Sequence, residues 1–218
     1  MKRKMNRLST SCALAAGLIF GVVSVANANL VANGDFETGS YGGGSFQTLS
    51  AGSPYLTDWT IGSGSIDWID SYWTAASGSK SIDLSGNGPA VISQSLNLTN
   101  NQTYSISFAY ARNPDGAASQ PFTVDLAGAT GGITISNLAA TTNPNTGWSN
   151  HLQTFLFTGT TGLYNLSFAA SVNGAFGPAL DNVSLTAVPL PAAAWLFGTA
   201  LAGLGFARKY RRGEMLVA

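Results

Sequence analysis

Carboxylate and aromatic side chains lie close together in residues 67–73, whose sequence is Asp-Trp-Ile-Asp-Ser-Tyr-Trp. Flat aromatic rings can stack on sugar rings, while carboxylates and other polar side chains hydrogen-bond to sugar hydroxyls. The segment therefore predicts a shallow carbohydrate-binding platform. The candidate binding residues are two aromatic and three charged side chains, with Asp67 as a further hydrogen-bonding partner: Tyr72, Trp73, Asp70, Arg112 and Asp115.

Tryptophans are usually mostly buried, so each one needs a core interpretation beside the binding one. Trp68 alternates with Ile66 as a core residue of a strand would, and we predict core positions for Trp59 and Trp68. Tyr72 and Trp73 then remain as the better-exposed candidates. Trp148 follows a loop-like run of Asn, Pro, Thr and Gly, and its position is left open between a loop and the edge of the domain.

The sequence contains few of the residue arrangements that are typical of catalytic sites. The lone histidine, His151, stands in a strand-like pattern, and no serine occurs in a Gly-x-Ser-x-Gly elbow. A glycosidase needs two carboxylates, which Asp67 with Asp70, or Asp115 with another aspartate, would supply. Aspartates of this kind more often form turns. We predict that the protein is not an enzyme, with a glycoside hydrolase as the remaining catalytic alternative.

Alternating polar and apolar residues dominate the middle of the chain and predict β-strands. Glycine, proline and asparagine turns separate the strands, as at Asn113-Pro114-Asp115-Gly116. About 160 residues suffice for one domain with a core, so we assign 29–187 to a single all-β sandwich. The predicted strands include residues 104–110, 122–126, 151–157, 163–168 and 181–187.

The charges of the chain are divided between its ends and its middle, although the net charge is zero. Four basic residues lie in the first seven positions and four more in 208–212, whereas 29–187 holds nine acidic residues and two basic ones, Lys80 and Arg112. The middle is thus acidic, with a net charge of −7. With no basic patch and no Gly-rich loop leading into a helix, nucleic-acid and nucleotide binding are excluded.

The N-terminal basic residues precede an apolar run, residues 13–25, and then Ala26-Asn27-Ala28. This pattern is typical of a secretory signal peptide, which we assign to 1–28 with cleavage after Ala28. The single cysteine, Cys12, lies inside that segment, so the exported protein would contain no disulfide.

At the other end, Val188-Pro189-Leu190-Pro191 precedes an apolar helix over 192–207 and a basic end over 208–212. Together, residues 188–212 closely resemble the PEP-CTERM sorting tail of Gram-negative bacteria, with Leu190 in place of the name-giving glutamate. The resemblance implies transient anchoring in the inner membrane by a single transmembrane helix and recognition by an exosortase-type protease. The sorting signal would comprise Pro189, Leu190, Pro191, Arg208, Lys209, Arg211 and Arg212.

Motifs spread over residues 30–188 also resemble a known domain. The opening Asn33-Gly34-Asp35-Phe36-Glu37 and the closing Leu180-Asp181-Asn182-Val183 are similar to the frame of the galactose-binding-like jelly roll used by many carbohydrate-binding modules. The segments at 64–73, 81–84, 92–94 and 113–115 are similar to the choice-of-anchor C family, which is related to plant cell-wall proteins. The resemblance implies a jelly-roll β-sandwich.

In such jelly rolls the first and last strands lie side by side, which would bring Glu37 near Asp181. The resemblance implies a structural calcium ion held by these two carboxylates, with Asp35 adding an oxygen, because a hard cation relieves the repulsion between carboxylates. The alternative is that Glu37 and Asp181 cap turns or accept hydrogen bonds from backbone amides.

Together these features predict an exported, non-enzymatic protein of the cell surface or exopolysaccharide matrix that binds polysaccharide through a calcium-stabilised sandwich. Two alternatives stay open: a structural surface or biofilm protein without a sugar site, and a glycoside hydrolase.

Overall fold

The computed structural model of the protein describes residues 28–127, 134–145 and 147–189. Within those residues the chain forms eleven β-strands. They are β1 (Phe46–Ser50), β2 (Thr60–Ser63), β3 (Ser65–Ile69), β4 (Ser81–Asp83), β5 (Val91–Leu98), β6 (Gln102–Arg112), β7 (Gln120–Ala127), β8 (Thr134–Ala140), β9 (Ser149–Phe157), β10 (Gly162–Ala170) and β11 (Pro178–Ala187).

The strands form two antiparallel sheets, one of six strands in the order β1-β3-β4-β11-β6-β9 and one of five in the order β2-β5-β10-β7-β8. Their inner faces enclose one large cluster of buried apolar side chains. This arrangement confirms the predicted all-β sandwich, and β6, β7, β9, β10 and β11 cover the five strands predicted from alternation. The alternation is visible in β5, where buried and more exposed residues follow one another along the strand.

Aromatic side chains fill the space between the sheets. Phe168 contacts Trp59 and Phe108 with ring centroids 6.2 and 5.4 Å apart, and both contacts are edge-on. Trp68 is fully buried, and its Nε1 donates a hydrogen bond to the carbonyl of Phe36 at 2.8 Å. The predicted core positions of Trp59 and Trp68 are therefore confirmed.

The N-terminal segment lies along the last strand, β11. Leu30 N–H donates to the carbonyl of Leu185, and Val183 N–H donates to the carbonyl of Gly34, both at 2.8 Å. The segment makes an isolated bridge between Asn29 and Thr186 and then a turn, rather than a full strand. The two ends of the domain therefore lie side by side, as expected, and are joined by this bridge and these hydrogen bonds.

A second, smaller apolar cluster covers the outer face of the six-stranded sheet, where Ile69, Ala111 and Ala179 pack with Trp73. Trp73 belongs to the segment between β3 and β4, and its Nε1 donates to Ser81 Oγ at 2.8 Å. Trp148 packs against the same cluster and donates from Nε1 to the carbonyl of Thr74 at 3.0 Å. The segment after β3 therefore folds back over the sheet.

The predicted signal peptide lies outside the described residues, apart from Ala28. Of the predicted sorting signal, Pro189 is described and exposed, whereas Leu190, Pro191, Arg208, Lys209, Arg211 and Arg212 lie outside. Within the part of the chain that the structure describes, no helix has the length and apolar character needed to cross a membrane.

Candidate functional site

A cleft of about 200 Å³ opens beside β1 and β3. Three aromatic side chains line it, namely Phe46, Tyr72 and Phe176, and they are 42%, 39% and 47% exposed. Exposed aromatic rings gathered at a concave surface are unusual, because apolar side chains of this size are normally covered. Polar groups complete the lining: Thr48, Asp67, Asn87 and Asn113.

Four separate parts of the chain supply the aromatic and polar walls. Phe46 lies at the start of the edge strand β1, and Tyr72 follows β3; their rings meet edge-on with centroids 5.5 Å apart. Phe176 comes from the loop before β11, and Asn87 from the loop after β4. The Tyr72 hydroxyl donates a short hydrogen bond to Asp115, which fixes the orientation of the ring.

A buried polar network supports the cleft from beneath. Asp83 at the end of β4 is fully buried and accepts hydrogen bonds from Ser85 N–H at 2.7 Å, Asn113 Nδ2 at 2.7 Å and Gly177 N–H at 3.0 Å. Asn113 Oδ1 in turn accepts from Asp115 N–H at 2.9 Å. The network therefore links the chain segment that contains Asn113 and Asp115 to the one that contains Phe176.

Asp67 places a carboxylate in the cleft wall. It stands opposite Thr48 on β1 and opposite Asp83 on β4, and Thr48 Oγ1 donates to its Oδ1 at 2.5 Å. Partial burial raises the pKa of Asp67, although the bond from Thr48 lowers it. Burial also raises the pKa of Asp83 well above its ordinary value, and the nearby charge of Asp67 adds to this.

Trp73 does not form part of the predicted sugar platform. It is 3% exposed, because its side chain turns onto the outer face of the six-stranded sheet instead of into the cleft. Its neighbour Tyr72 contacts the Trp73 ring, with centroids 5.7 Å apart, but is 39% exposed and lines the cleft. The chain bends at residues 71–73, and the two neighbouring side chains there differ in burial.

Two further predicted hydrogen-bonding residues have other partners. Asp70 forms an ion pair with Lys80 at 2.7 Å, and Arg112 Nη1 donates to the carbonyls of Asn113 and Pro114 at 3.3 and 3.1 Å. Neither lines the cleft. Asp115 reaches it through its bond to Tyr72.

Sequence analysis missed Phe46, Phe176 and Asn87 as site residues. Each lies in a segment rich in small residues, with no second aromatic or acidic residue beside it to mark a binding motif. An isolated aromatic residue in a Gly- and Ser-rich segment was the only available signal. Their convergence depends on the pairing of strands that are distant in sequence.

The carboxylates of Glu37 and Asp181 are held by one intervening segment, residues 76–80. Glu37 Oε1 accepts from Ser79 N–H at 2.6 Å and from Lys80 N–H at 2.7 Å, and Ser79 Oγ donates to Oε2 at 2.8 Å. Asp181 Oδ2 accepts from the N–H groups of Ala76 and Ser77 at 2.8 and 2.9 Å. These contacts match the alternative in which both residues bind backbone amides.

The pKa values of Asp181 and Glu37 are shifted in opposite directions. Burial, with a smaller contribution from the charge of Glu37, raises the pKa of Asp181 to about 7 against the hydrogen bonds from three backbone amides. Burial alone would raise the pKa of Glu37 too, but hydrogen bonds from Lys80 and Ser79 hold it below its usual value. The two carboxylates are therefore near enough to repel each other.

The hydrogen bonds to Glu37 and Asp181 determine how many oxygen lone pairs remain for a calcium ion. A carboxylate has about four lone-pair sites, and amide or hydroxyl donors occupy three on Glu37 and, counting Asn182 N–H, three on Asp181. One oxygen lone pair remains on each. Among the described residues there is no cluster of three acidic, His or Cys side chains, so Asp35 does not join the pair; it lines a separate polar depression with Asn182.

The raised pKa values predict how stability depends on pH. An aspartate whose folded pKa is raised contributes stability that is fully present below the unfolded value of 3.8 and is lost as the pH rises through the folded pKa. In chelator, the free energy of unfolding should fall between about pH 4 and about pH 8. Asp181 alone would account for roughly 4 kcal/mol at about 1.4 kcal/mol per pKa unit.

Urea unfolding at pH 5 and pH 8 measures the part of this effect above pH 5, which for Asp181 is roughly 3 kcal/mol at about 1.4 kcal/mol per pKa unit. Glu37 acts in the opposite direction, but its contribution is complete above its unfolded pKa of 4.5 and changes little across that interval. Asp181→Asn should flatten the profile, whereas Asp58→Asn, at an exposed position outside this network, should leave it unchanged. A protein more stable at pH 8 than at pH 5 would contradict the prediction.

The arrangement of the remaining polar residues does not form a catalytic constellation among the described residues. The His151 ring stacks on Phe108 with centroids 4.9 Å apart, at the inner face of β9. Asp70, the predicted partner of Asp67 in a glycosidase pair, is bound to Lys80.

Solved structures with a similar fold include carbohydrate-binding modules. TmCBM61, solved in complex with beta-1,4-galactotriose, has a TM-score of 0.50 at 13% identity, covering 74% of this chain and 99% of that one. Family 16 Carbohydrate Binding Module-2 has a TM-score of 0.47 at 20% identity, covering 72% and 99%. The likeness to TmCBM61 shows a fold similar to that of carbohydrate-binding jelly-roll modules.

Comparison of sequences adds a relative and a family. Halomucin of Haloquadratum walsbyi is 33% identical over 177 residues, which are 79% of this chain and 2% of halomucin. This chain thus spans a small fraction of that relative. The model of DUF642, described as a protein of unknown function, matches residues 29–186, nearly the whole sandwich. The chain therefore belongs to the DUF642 family.

Proposed function

We propose that this protein is a non-enzymatic, exported protein that binds carbohydrate in the cleft beside β1 and β3. The observation that carries the proposal is the convergence of three exposed aromatic side chains, Phe46, Tyr72 and Phe176, on one cleft with polar walls. Aromatic faces stack on sugar rings, and the oxygens of Asp67, Thr48 and Asn87 would bond the hydroxyls at the ring edges.

The fold supports the same proposal. TmCBM61 has a similar sandwich and was solved with a galactotriose bound. A shared fold at 13% identity carries no ligand with it. The argument for this chain therefore rests on its own cleft.

Tyr72→Ala tests the proposal directly. The purified protein should bind at least one polysaccharide on a glycan array or in an insoluble-polysaccharide pull-down. The variant should bind it about tenfold more weakly or worse, the loss expected on truncating an anchor worth about 1.4 kcal/mol or more. Tyr72 is mostly a surface side chain, so the melting temperature should change little.

Tyr55→Ala is the matched control, because Tyr55 is 49% exposed and lies outside the cleft. It should bind as the unaltered protein does. If the folded protein binds no glycan, or if both variants lose binding equally, the cleft is not a sugar site.

Export and sorting form the second part of the proposal. The signal peptide in 1–28 and the tail in 188–212 would deliver the domain through the inner membrane to the surface or matrix of a Gram-negative bacterium, with an exosortase-type protease as partner. Mass spectrometry of the protein from the producing cells tests this: the expected N-terminus is Asn29, and the expected C-terminus lies near Pro189 to Pro191. Retention of residues 192–212 in the matrix form would refute processing.

A structural calcium ion at Glu37 and Asp181 completes the proposal. It is supported by the two hard oxygen donors with a lone pair each and by their mutual repulsion. We expect calcium to raise the melting temperature over chelator at neutral pH, and Glu37→Gln to abolish that difference. A melting temperature that is the same in calcium and chelator would leave the amide hydrogen bonds as the full explanation of the pair.

A purely structural surface protein is the second candidate, and one observation favours it. Leu152 and Leu156 are 73% and 52% exposed on β9, the edge strand of the six-stranded sheet. Exposed edges of this kind pair with other chains. Concentration-dependent association that Leu152→Lys disrupts, together with an absence of glycan binding, would favour this function over the lectin-like one.

A further inference from the structure

The described walls of the cleft hold an acidic side chain and no basic one. Asp67 lines the cleft, Asp115 binds the hydroxyl of Tyr72 at its rim, and Asp83 lies behind Asn113, to which it is bonded at 2.7 Å. Asp67 and Asp115 are therefore the two acidic side chains nearest to a ligand, while Asp83 is buried beneath the cleft. A negatively charged ligand would meet no positively charged side chain among the described walls of the cleft.

Neither of the two basic residues of the domain lines the cleft. Residues 29–187 contain only Lys80 and Arg112, so the undescribed parts of this range add no cation either. Lys80 Nζ is bonded to Asp70 and lies 4.8 Å from the centre of the Tyr41 ring. Arg112 donates to two backbone carbonyls. A sugar carboxylate or sulfate would thus lose its hydration and gain no ion pair, which is costly.

The three carboxylates also have donors of their own, so they do not require a cationic ligand. Asp67 accepts from Thr48, Asp115 accepts from Tyr72, and Asp83 accepts from three N–H groups. The largest exposed surface in the cleft is aromatic, which suits stacking on an uncharged ring. Its volume of about 200 Å³ is below the roughly 300–1,000 Å³ of drug-sized sites and fits one or two sugar rings.

We infer that the cleft takes short stretches of uncharged sugar and rejects uronic acids and sulfated sugars. The inference rests on the proposed function, since it specifies the ligand class of the same cleft.

The test is a glycan array that contains neutral, uronate-bearing, sulfated and amino-sugar polysaccharides, probed with the purified protein. We expect the bound set to be uncharged. For the best-bound glycan we expect a uronate-bearing form of the same backbone to bind at least tenfold more weakly at about 50 mM salt. That difference should narrow at about 500 mM salt, because ions screen the repulsion.

Asp67→Asn should reduce the discrimination against the uronate-bearing form, whereas Asp58→Asn, outside the cleft, should not. Preferred binding of a uronate, sulfated or amino sugar would overturn the inference while leaving carbohydrate binding intact. The inference would also be overturned if neither added salt nor Asp67→Asn changed the ratio of the affinities for the neutral and uronate-bearing forms. Binding of no glycan at all would instead refute the proposed function.

Discussion

Trp68→Ala should lower the free energy of unfolding by about 3–5 kcal/mol, the range for truncating a large buried aromatic residue. Trp68 is fully buried, meets the Tyr41 ring edge-on at 5.1 Å and donates to the carbonyl of Phe36 at 2.8 Å. The substitution leaves a cavity beside β3 and orphans that carbonyl. Urea unfolding followed by fluorescence of the remaining tryptophans measures the effect.

Trp148→Ala is the matched control for the same side-chain truncation. Trp148 is only half-buried and packs on the smaller outer cluster, so its loss should cost much less stability. Equal destabilisation by the two substitutions would mean that Trp148 in the outer cluster contributes as much stability as Trp68 in the large core. The comparison also tests whether the outer cluster is secondary to the space between the sheets.

Gly177→Ala should both destabilise the fold, by about 1–3 kcal/mol or more, and weaken glycan binding. A Cβ at this position would collide with the Cβ of Ser85 and would lie 2.7 Å from Asp83 Oδ1. Ser85 and Asp83 are fully buried and bonded to each other, so neither can move aside easily. Any shift of Gly177 displaces Phe176, which lines the cleft.

Gly88→Ala controls for the general effect of replacing a glycine in this part of the molecule. A Cβ at Gly88 would meet nothing within 4 Å, and its backbone is not left-handed. Its stability and glycan binding should stay near those of the unaltered protein. If Gly177→Ala behaves in the same way, the floor of the cleft is more adaptable than close packing implies.

Local sequence patterns were sufficient for five of the eleven described strands and for the core positions of Trp59 and Trp68. Alternation in residues 104–110 identified a strand because successive side chains of a strand point to opposite faces, whatever that strand pairs with. The same rule placed Trp68 with Ile66 in the core. Composition also determined the acidity of the domain and left Lys80 and Arg112 as its only cations.

Only the tertiary structure decided which aromatic residues face solvent together. Trp73 and Tyr72 are adjacent and equally suited to a sugar platform by sequence, yet the outer face of the sheet buries one and leaves the other exposed. Phe46 and Phe176 lie 130 residues apart in sequence. They meet in one cleft because β1 and β11, whose start follows Phe176, belong to the same six-stranded sheet. Strand order in a sheet is set by contacts between distant segments, and such contacts leave no mark in the local pattern of residues.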